Sequence, residues 1–370
     1  MRIVLFVHSL VSDWNHGNAH FLRGVVRELG ERGHDVRVLE PREGWSRAQL
    51  VQEQGPAALE EFARAFPELG SRSYDLEGFD LDEILDGVDV VLVHEWNEPE
   101  LVSAVGRVRA RRGDLRALFH DTHHRAATAP ETMARYDLSG YDGVLAFGDV
   151  VRELYLDRGW ARDAWTWHEA ADTRMFRPLD PRGRSQDLVW IGNWGDEERS
   201  AELREFLLRP ASGLGLAGTV HGVRYPRDAI AEVEAAGLRF GGWVPNHRVP
   251  EVFAAHRVTV HVPRRPYVEA LPGIPTIRPF EALACGIPLV SAPWEDVEGL
   301  FREGDYLVAR DGDEMRELVR ELVADEGLRR ELATRGRETV LGRHTCAHRV
   351  DELLAILTAI GARDPEAAAA

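Results

Sequence analysis

The feature that most constrains the fold is a repeated alternation of short apolar segments with amphipathic segments, which occurs in both halves of the chain. Short strands that are apolar on both faces are typical of a parallel sheet covered by helices on each side. The apolar segments begin at residues 2, 35, 88, 115, 143, 187, 219, 258 and 289. The pattern therefore predicts an α/β protein built from two Rossmann-like, doubly wound parallel sheets.

The chain length and one local change in composition predict where these two domains divide. A chain of 370 residues suits two domains of ordinary size, and the stretch 170–185 is rich in Asp, Pro, Arg and Gly. We expect one domain over residues 1–170 and a second over 180–345, facing each other across a cleft. We expect a helix at 346–361 to cross back to the first domain, and a loose tail at 362–370.

The basic residues limit the chemistry that the chain can perform. The formal net charge is −17, which argues against generic nucleic-acid binding. All 45 basic residues are arginine, so Schiff-base chemistry and a Walker A lysine are excluded. Any phosphate group on a ligand must therefore be bound by arginine side chains, backbone N–H groups or helix N-termini.

Further features predict a protein without a membrane span, a disulfide framework or a metal site. No apolar run approaches the roughly 20 residues that a transmembrane helix needs. The first seven residues indicate a strand and not a signal peptide. Cys285 and Cys346 have no disulfide or metal-ligand spacing. We therefore expect a cytoplasmic protein without a bound metal or cofactor, for which association as a homodimer is compatible with the sequence.

The motif at residues 278–290, RPFEALACGIPLV, carries a family resemblance. It resembles the "F-E-A-x-A-C-G-x-P-x-V" sugar-donor motif of group-1 glycosyltransferases, the retaining GT-B enzymes of family 4, in the "R-x-F-E-A" form of the CgeB-like branch. Residues 171–178 and 240–245 are similar to two other signatures of the family, and residues 191–194 are similar to that branch. The resemblance covers residues 170–350 well and the N-terminal half in outline.

The resemblance implies a reaction and its partners. It implies transfer of a sugar, with retention and without a metal ion, from a UDP- or GDP-sugar to an unidentified acceptor. The nucleotide-diphosphate sugar is then a co-substrate, and the departing phosphate itself takes the acceptor's proton. Two departures keep alternatives open. Family 4 usually has two glutamates eight positions apart; Glu281 fills the second place and Gly273 occupies the first, and the family's donor-site lysine is absent. The alternatives are a nucleotide-sugar epimerase or pseudo-glycosyltransferase on the same fold, and a catalytically silent nucleotide-sugar-binding protein.

Glu281 and Arg278 are the central candidates for binding the sugar donor and for catalysis. We expect Glu281 in the first turn of a helix, where its carboxylate accepts hydrogen bonds from two ribose hydroxyls; the alternative is that it only complements the helix dipole. Arg278 is expected to bind the diphosphate, the alternative being a salt bridge with an acidic neighbour. Residues 221–280 contain eight arginines and five acidic residues, which favours an anionic ligand there.

The remaining donor-side candidates lie in loops that follow strands or precede this helix. The loop before the helix offers backbone N–H groups to phosphate oxygens, and Gly273 permits a close approach. Arg199 stands in for the absent lysine, the alternative being an exposed residue paired with Asp196 or Glu202. The full set is Gly17, Asn193, Trp194, Arg199, Arg264, Gly273, Ile274, Thr276 and Ile277, together with Arg278 and Glu281.

The first half of the chain supplies a third catalytic candidate and the acceptor-side candidates. His120 ends a predicted strand, and the resemblance implies that it contacts the transferred sugar; a structural role or a metal site are the alternatives. For several of the acceptor-side candidates, the alternative is a polar loop that only faces water. The acceptor-side set is His16, His94, Glu95, Asp121 and His123.

Overall fold

The computed structural model describes residues 1–180 and 185–362, which form two compact α/β units. Unit 1 comprises Met1–Glu169 and the chain from Cys346 onward, and unit 2 comprises Ala170–Thr345. Within the described ranges, no helix combines the length and the apolar character needed to cross a membrane.

Unit 1 is built on a seven-stranded sheet in which every neighbouring pair is parallel. The strand order is β3-β2-β1-β4-β5-β6-β7, so the direction of winding reverses between β1 and β4. The strands are β1 (Arg2–Phe6), β2 (Asp35–Pro41), β3 (Arg72–Tyr74), β4 (Val90–His94), β5 (Arg116–Asp121), β6 (Gly143–Ala146) and β7 (Ala164–Thr166).

Helices connect these strands. They are α1 (Ala19–Glu31), α2 (Trp45–Gln54), α3 (Ala57–Ala65), α4 (Leu81–Ile84), α5 (Pro99–Arg111), α6 (Arg125–Thr128), α7 (Pro130–Met133) and α8 (Asp149–Asp157). All residues of β4 and β6 are buried. This two-sided burial explains why the strands are apolar throughout instead of alternating.

Unit 2 contains a six-stranded parallel sheet with the order β10-β9-β8-β11-β12-β13. This is the strand order of a dinucleotide-binding domain, and its winding reverses between β8 and β11. The strands are β8 (Gln186–Ile191), β9 (Gly218–His221), β10 (Leu238–Gly242), β11 (His256–His261), β12 (Leu289–Ser291) and β13 (Leu307–Val308).

The helices of unit 2 cover this sheet. They are α9 (Ser200–Leu203), α10 (Arg209–Leu214), α11 (Arg227–Ala235), α12 (Val249–Ala255), α13 (Arg265–Ala270), α14 (Ile277–Ala284), α15 (Gly312–Ala324) and α16 (Glu326–Arg343), with a π-helical turn at Arg204–Leu208 and 3₁₀ turns at Asp196–Glu198 and Asn246–Arg248. One core joins strand residues such as Trp190 and Val260 to helix residues such as Phe206 and Met315.

The last helix, α17 (Cys346–Ala359), belongs to unit 1. The Nε1–H group of Trp167 donates to the backbone oxygen of Arg349 at 2.8 Å, and the Arg116 guanidinium donates to the backbone oxygen of Ile360 at 2.6 Å. The leucines and valine of its inner face are buried. The chain therefore returns to its first unit after completing the second.

The two parallel α/β sheets predicted from the sequence are confirmed, whereas the four edge strands, β3, β7, β10 and β13, were missed. β3, β7 and β13 contain only two or three residues each. Segments this short show no period that distinguishes a strand from a loop.

Candidate functional site

In unit 2, the candidate residues gather at the carboxyl ends of β8 and β11, where the winding of the sheet reverses. Asn193 and Trp194 follow β8, and Arg264 follows β11. Ligands of doubly wound sheets bind at this position because the two loops diverge there and leave a crevice. The fold therefore brings together residues that lie about 70 positions apart in sequence.

The helix α14 begins at this edge after a tightly bent loop. Gly273 has a φ of 92°, and its N–H donates to the backbone oxygen of Glu295 at 2.7 Å. Thr276, at the N-cap, has a φ of 60° and a ψ of −175°, a region otherwise occupied almost only by glycine, and its side chain does not cap the helix. Backbone strain of this kind persists where the surrounding structure holds a loop in one conformation. Here the strained loop fixes the direction in which α14 begins.

Glu281 lies in the second turn of α14, because the helix begins at Ile277. The expectation that it occupies the first turn is wrong, and so is the alternative that it complements the helix dipole there. The starting point was misjudged because Pro279 is typical of the first position of a helix, whereas α14 carries it at the third. The carboxylate of Glu281 is completely buried.

The partner of Glu281 is Arg278, one turn earlier on the same helix. The side chain of Arg278 is 16% exposed, whereas that of Glu281 is 1% exposed. Arg278 is therefore the more exposed member of the pair. The salt bridge weighed as an alternative for Arg278 exists, and its acidic partner is the second catalytic candidate itself.

Arg199 is turned inward against the loops that follow β8 and β11. Its guanidinium donates to the backbone oxygen of Asn193 at 2.6 Å, to the side-chain oxygen of the same residue, and to the backbone oxygen of Val262 at 3.3 Å. It also lies 5.0 Å from the centre of the Trp190 ring. Burial, with a further contribution from Arg264, lowers the pKa of Arg199 to about 9, which leaves it charged at neutral pH.

The acidic neighbours proposed as alternative partners of Arg199 are engaged elsewhere. Asp196 pairs with Arg224 at 2.9 Å, and Glu202 pairs with Arg265 at 3.0 Å. The alternative that Arg199 is an exposed helix residue paired with either of them is therefore wrong. Helical spacing misled that interpretation because residues 196–198 form a separate 3₁₀ turn before α9.

Arg199, Arg264 and Arg278 form a group of like charges, which we call the arginine cluster. Arg264 pairs with Glu198 at 2.7 Å, and both Arg264 and Arg278 contribute to the lowered pKa of Arg199. Like charges held close together repel one another, so an anion placed among them is stabilised. The cluster is therefore suited to a phosphate-bearing ligand.

Three other donor-side candidates have buried side chains. Trp194 is 5% exposed and packs 5.6 Å from the Tyr225 ring, and Ile274 and Ile277 are buried. Their side chains therefore belong to the core.

His261, the last residue of β11, was not predicted as a site residue. It is buried, and burial, with Arg199 and Arg278 acting in the same direction, lowers its pKa to about 3. His261 was overlooked because the sequence VTVHV suggests an uninterrupted strand. Its position as the final residue of a strand next to the reversal point was the signal that could have found it.

In unit 1, four histidines gather at the corresponding edge, after β1 and at the ends of β4 and β5. Their ring centroids are 5.1 Å apart for His8 and His16, 6.3 Å for His16 and His94, and 5.1 Å for His94 and His120. Burial lowers the pKa of each ring, so these histidines are neutral at physiological pH. His8 was missed in the sequence, although it directly follows the first strand.

His120 is enclosed by aromatic rings. Its centroid lies 4.9 Å from that of Trp167 and 6.2 Å from that of Phe21, and burial lowers its pKa to about 3. Within the described part of the chain, its Nε2 atom has no hydrogen-bond partner. A buried polar atom of this kind is left for a ligand or a water molecule to satisfy.

Glu95 and Asp121 are fully buried and held by neighbouring groups. Glu95 pairs with Arg125 at 2.7 Å, and Asp121 accepts from the Tyr155 hydroxyl at 2.7 Å. Burial and the nearby Glu95 raise the pKa of Asp121 well above its usual range. These bonds order the loop after β5. That either carboxylate contacts the acceptor stays a prediction.

The remaining unit 1 candidates are a glycine in an exposed turn and two histidines that contact neighbouring groups. Gly17 is exposed in the turn before α1, and His16 bonds through Nε2 to the backbone oxygen of Ser9 at 3.1 Å. The ring of His123 lies 5.1 Å from that of Trp96. In residues 1–180 and 185–362, no group of three or more His, Cys, Asp or Glu side chains is arranged to hold a metal ion.

The chain is similar to known proteins in part of its sequence and in its fold. Residues 199–355 match the model of a family described as "Glycosyl transferase-like". A comparison with curated proteins finds no relative of this chain.

Three solved structures illustrate the similarity, which extends over nearly the whole chain. A sucrose-phosphate synthase from Thermosynechococcus elongatus has 17% identity, a TM-score of 0.67, and coverage of 97% of this chain and 99% of its own. HepE from Anabaena, solved with UDP and glucose, has 14% identity, a TM-score of 0.64, and coverage of 97% and 100%.

The third, BGT of phage T4, was solved with UDP and Mn²⁺ and has 14% identity, a TM-score of 0.63, and coverage of 98% and 100%. Together these likenesses show that the chain has the GT-B fold.

Proposed function

We propose that the protein is a glycosyltransferase that moves a sugar from a UDP- or GDP-sugar to an acceptor. One observation carries the proposal. The arginine cluster, the Arg278–Glu281 pair and the uncapped start of α14 converge at the reversal point of the unit 2 sheet, within or beside the segment that matches the glycosyltransferase-like family.

The diphosphate of the sugar donor binds at the N-terminus of α14 in this proposal. Backbone N–H groups there carry partial positive charge, and the arginine cluster adds full charges. When the bond between the sugar and the phosphate breaks, negative charge develops on the departing diphosphate. Groups already held in place stabilise that charge without reorganising, which is the main electrostatic route to catalysis.

Glu281 binds the ribose, and Arg278 controls access to it. In the described structure the Arg278 guanidinium is ion-paired with the buried carboxylate. A diphosphate competes for the same guanidinium, and its greater charge attracts Arg278 toward the phosphate oxygens. The carboxylate is then released from the ion pair and accepts hydrogen bonds from the two ribose hydroxyls.

We assign the acceptor side and the sugar-facing histidine to unit 1. The unsatisfied Nε2 atom of the neutral His120 ring supports binding of a hydroxyl group, because a neutral imidazole both donates and accepts hydrogen bonds. We also infer that transfer proceeds with retention and without a metal ion, with the departing phosphate accepting the proton of the acceptor. The resemblance to family 4 supports both inferences.

A thermal-shift screen followed by a transfer assay tests the proposed function. The screen compares UDP, GDP and ADP with their glucose conjugates, and a bound ligand raises the melting temperature by mass action. We expect one nucleotide and its sugar conjugate to raise it selectively. No shift with any of them would contradict a nucleotide-sugar site.

The transfer assay separates the two remaining functions on the same fold. Each nucleotide sugar is incubated with the enzyme, with and without EDTA, and followed by NMR. Sugar release or transfer with the same anomeric configuration, unchanged by EDTA, is expected. Epimerised donor without transfer would indicate an epimerase, and binding without any turnover across acceptors would indicate a silent binding protein.

A further inference from the structure

His261 ends a strand beside the reversal point of the unit 2 sheet. It is the last residue of β11 and pairs with Ser291 of β12 on one side, while β11 pairs with β8 on the other. The β8–β11 boundary is the reversal point of the sheet. The side chain is 3% exposed, and the backbone oxygen of the next residue, Val262, accepts a hydrogen bond from Arg199.

Hydrogen bonding at Ser291 fixes which nitrogen of His261 carries the proton. The Ser291 hydroxyl donates its only proton to the backbone oxygen of Ala292 at 2.7 Å. The same hydroxyl oxygen lies 2.9 Å from Nδ1 of His261 and must accept there. Nδ1 therefore bears the hydrogen, and Nε2 presents a lone pair.

The Nε2 atom is buried and, among the residues that the structure describes, has no hydrogen-bond partner. The charged groups whose fields act on the ring are Arg199 and Arg278, and both disfavour its protonation. A buried atom of the arginine cluster, Nε of Arg199, also lacks a hydrogen-bond partner within this part of the chain. One unsatisfied acceptor and one unsatisfied donor therefore lie in the same group of residues.

A hydrogen-bond acceptor such as Nε2 can pair with some groups of a nucleotide sugar and not with others. Phosphate oxygens are acceptors and would oppose the lone pair of Nε2, whereas a hydroxyl group donates to it. A hydroxyl also accepts, so the same group is compatible with the unsatisfied N–H of Arg199. Unmatched polar groups in a site reject analogues that lack the complementary hydroxyl, which makes such an atom a source of specificity.

We propose that Nε2 of His261 accepts a hydrogen bond from a sugar-ring hydroxyl of the nucleotide-sugar donor, with Ser291 holding the imidazole in the required tautomer. This inference rests on the proposed function and adds a specificity-determining residue to that site. The hydroxyl belongs either to the ribose or to the transferred sugar, and the two sources are separated by comparing the nucleotide alone with its sugar conjugate.

Calorimetry on the full-length chain tests the proposal with a matched pair of variants. His261→Asn places an amide near the position of Nδ1 and retains the bond to Ser291, but does not reach the position of Nε2; His261→Gln reaches it. The ligands are the diphosphate chosen by the thermal-shift screen, UDP or GDP, and its glucose conjugate. We expect His261→Asn to weaken binding about tenfold and His261→Gln to weaken it less.

The pattern across ligands identifies the hydroxyl. An equal loss with the nucleotide and the conjugate assigns the contact to the ribose, and a loss confined to the conjugate assigns it to the transferred sugar; both support the proposal. Ser291→Ala removes the group that fixes the tautomer of His261 and leaves Nε2 in place, and we expect it to give an intermediate loss of affinity. It also tests the proposal if His261→Asn does not fold.

Two results overturn the proposal in distinguishable ways. If the wild-type protein binds the ligands and folded His261→Asn and Ser291→Ala bind them equally well, His261 has no such contact and the site itself stands. That result would leave a buried water as the partner of Nε2. If the wild-type protein binds none of the nucleotides, the proposed function and this inference fail together.

Discussion

At the scale of single residues, the Arg278–Glu281 pair concentrates the chemistry of unit 2. The Glu281 side chain is buried and the Arg278 side chain is partly exposed, so the positively charged member of the pair is the one that solvent can reach. A buried carboxylate without such a partner would be costly, because burial disfavours the charged form. The pairing explains how the chain keeps an acidic side chain in the interior of a site suited to anions.

The first prediction concerns the charge of Glu281. Glu281→Gln keeps the size of the side chain but removes the charge that strengthens hydrogen bonds from the ribose hydroxyls. We expect nucleotide diphosphate affinity to fall about tenfold, equivalent to about 1.4 kcal/mol, as measured by calorimetry. Glu234→Gln, on the exposed face of α11, is the control and should bind like the wild type. Equal affinity in both variants would exclude the ribose role.

At the scale of elements, the loop before α14 depends on a backbone conformation that few residues tolerate. Gly273 has a positive φ, and an added Cβ atom would lie 2.7 Å from Cγ of Glu298 and 3.0 Å from a methyl carbon of Val297. Thr276 follows three residues later, also with a positive φ. The conformation of this loop sets the direction in which α14 begins, and therefore where its N–H groups point.

The second prediction tests that dependence. Gly273→Ala should lower the free energy of unfolding by about 1–3 kcal/mol and also weaken nucleotide binding, because the loop must shift. Gly237→Ala is a matched control: its φ is 83°, but no atom lies within 4 Å of the added Cβ, and it precedes β10 at the opposite edge of the sheet. It should lower stability alone. Equal loss of binding in both variants would contradict the special role of the loop.

The elements also show what the sequence could predict and what it could not. Long apolar strands such as β4 and β5 were found because burial on both faces leaves an unmistakable apolar run. The start of α14 was misplaced because Pro279 suggested a helix start two residues too late. The partners of Arg199 were missed because they lie in loops joined only by the fold, and no local spacing reports such contacts.

At the scale of the whole molecule, buried neutral histidines couple folding to pH. Burial lowers the pKa of His16, His94, His120 and His261 in the folded chain, whereas in the unfolded chain they titrate near 6.5. The unfolded state therefore binds more protons below pH 6.5. The stability that these groups confer is present above that pH and is lost as the pH falls.

The third prediction follows from that sign. The free energy of unfolding, measured by urea denaturation, should fall between pH 6.5 and pH 4.5, with each such histidine contributing up to about 1.4 kcal/mol per pH unit. His120→Phe, which retains an aromatic ring against Trp167, should reduce this slope while running parallel to the wild type above pH 7.5. A slope unchanged by His120→Phe would contradict a neutral buried ring at that position.

The measurement that tests the central claim most directly is a crystal structure of the chain with the UDP or GDP chosen by the thermal-shift screen. We expect the diphosphate at the N-terminus of α14 in contact with the arginine cluster, Arg278 turned toward the phosphates, and the ribose hydroxyls on Glu281. A nucleotide bound elsewhere on the chain, or Glu281 still paired with Arg278 when the nucleotide is present, would contradict it.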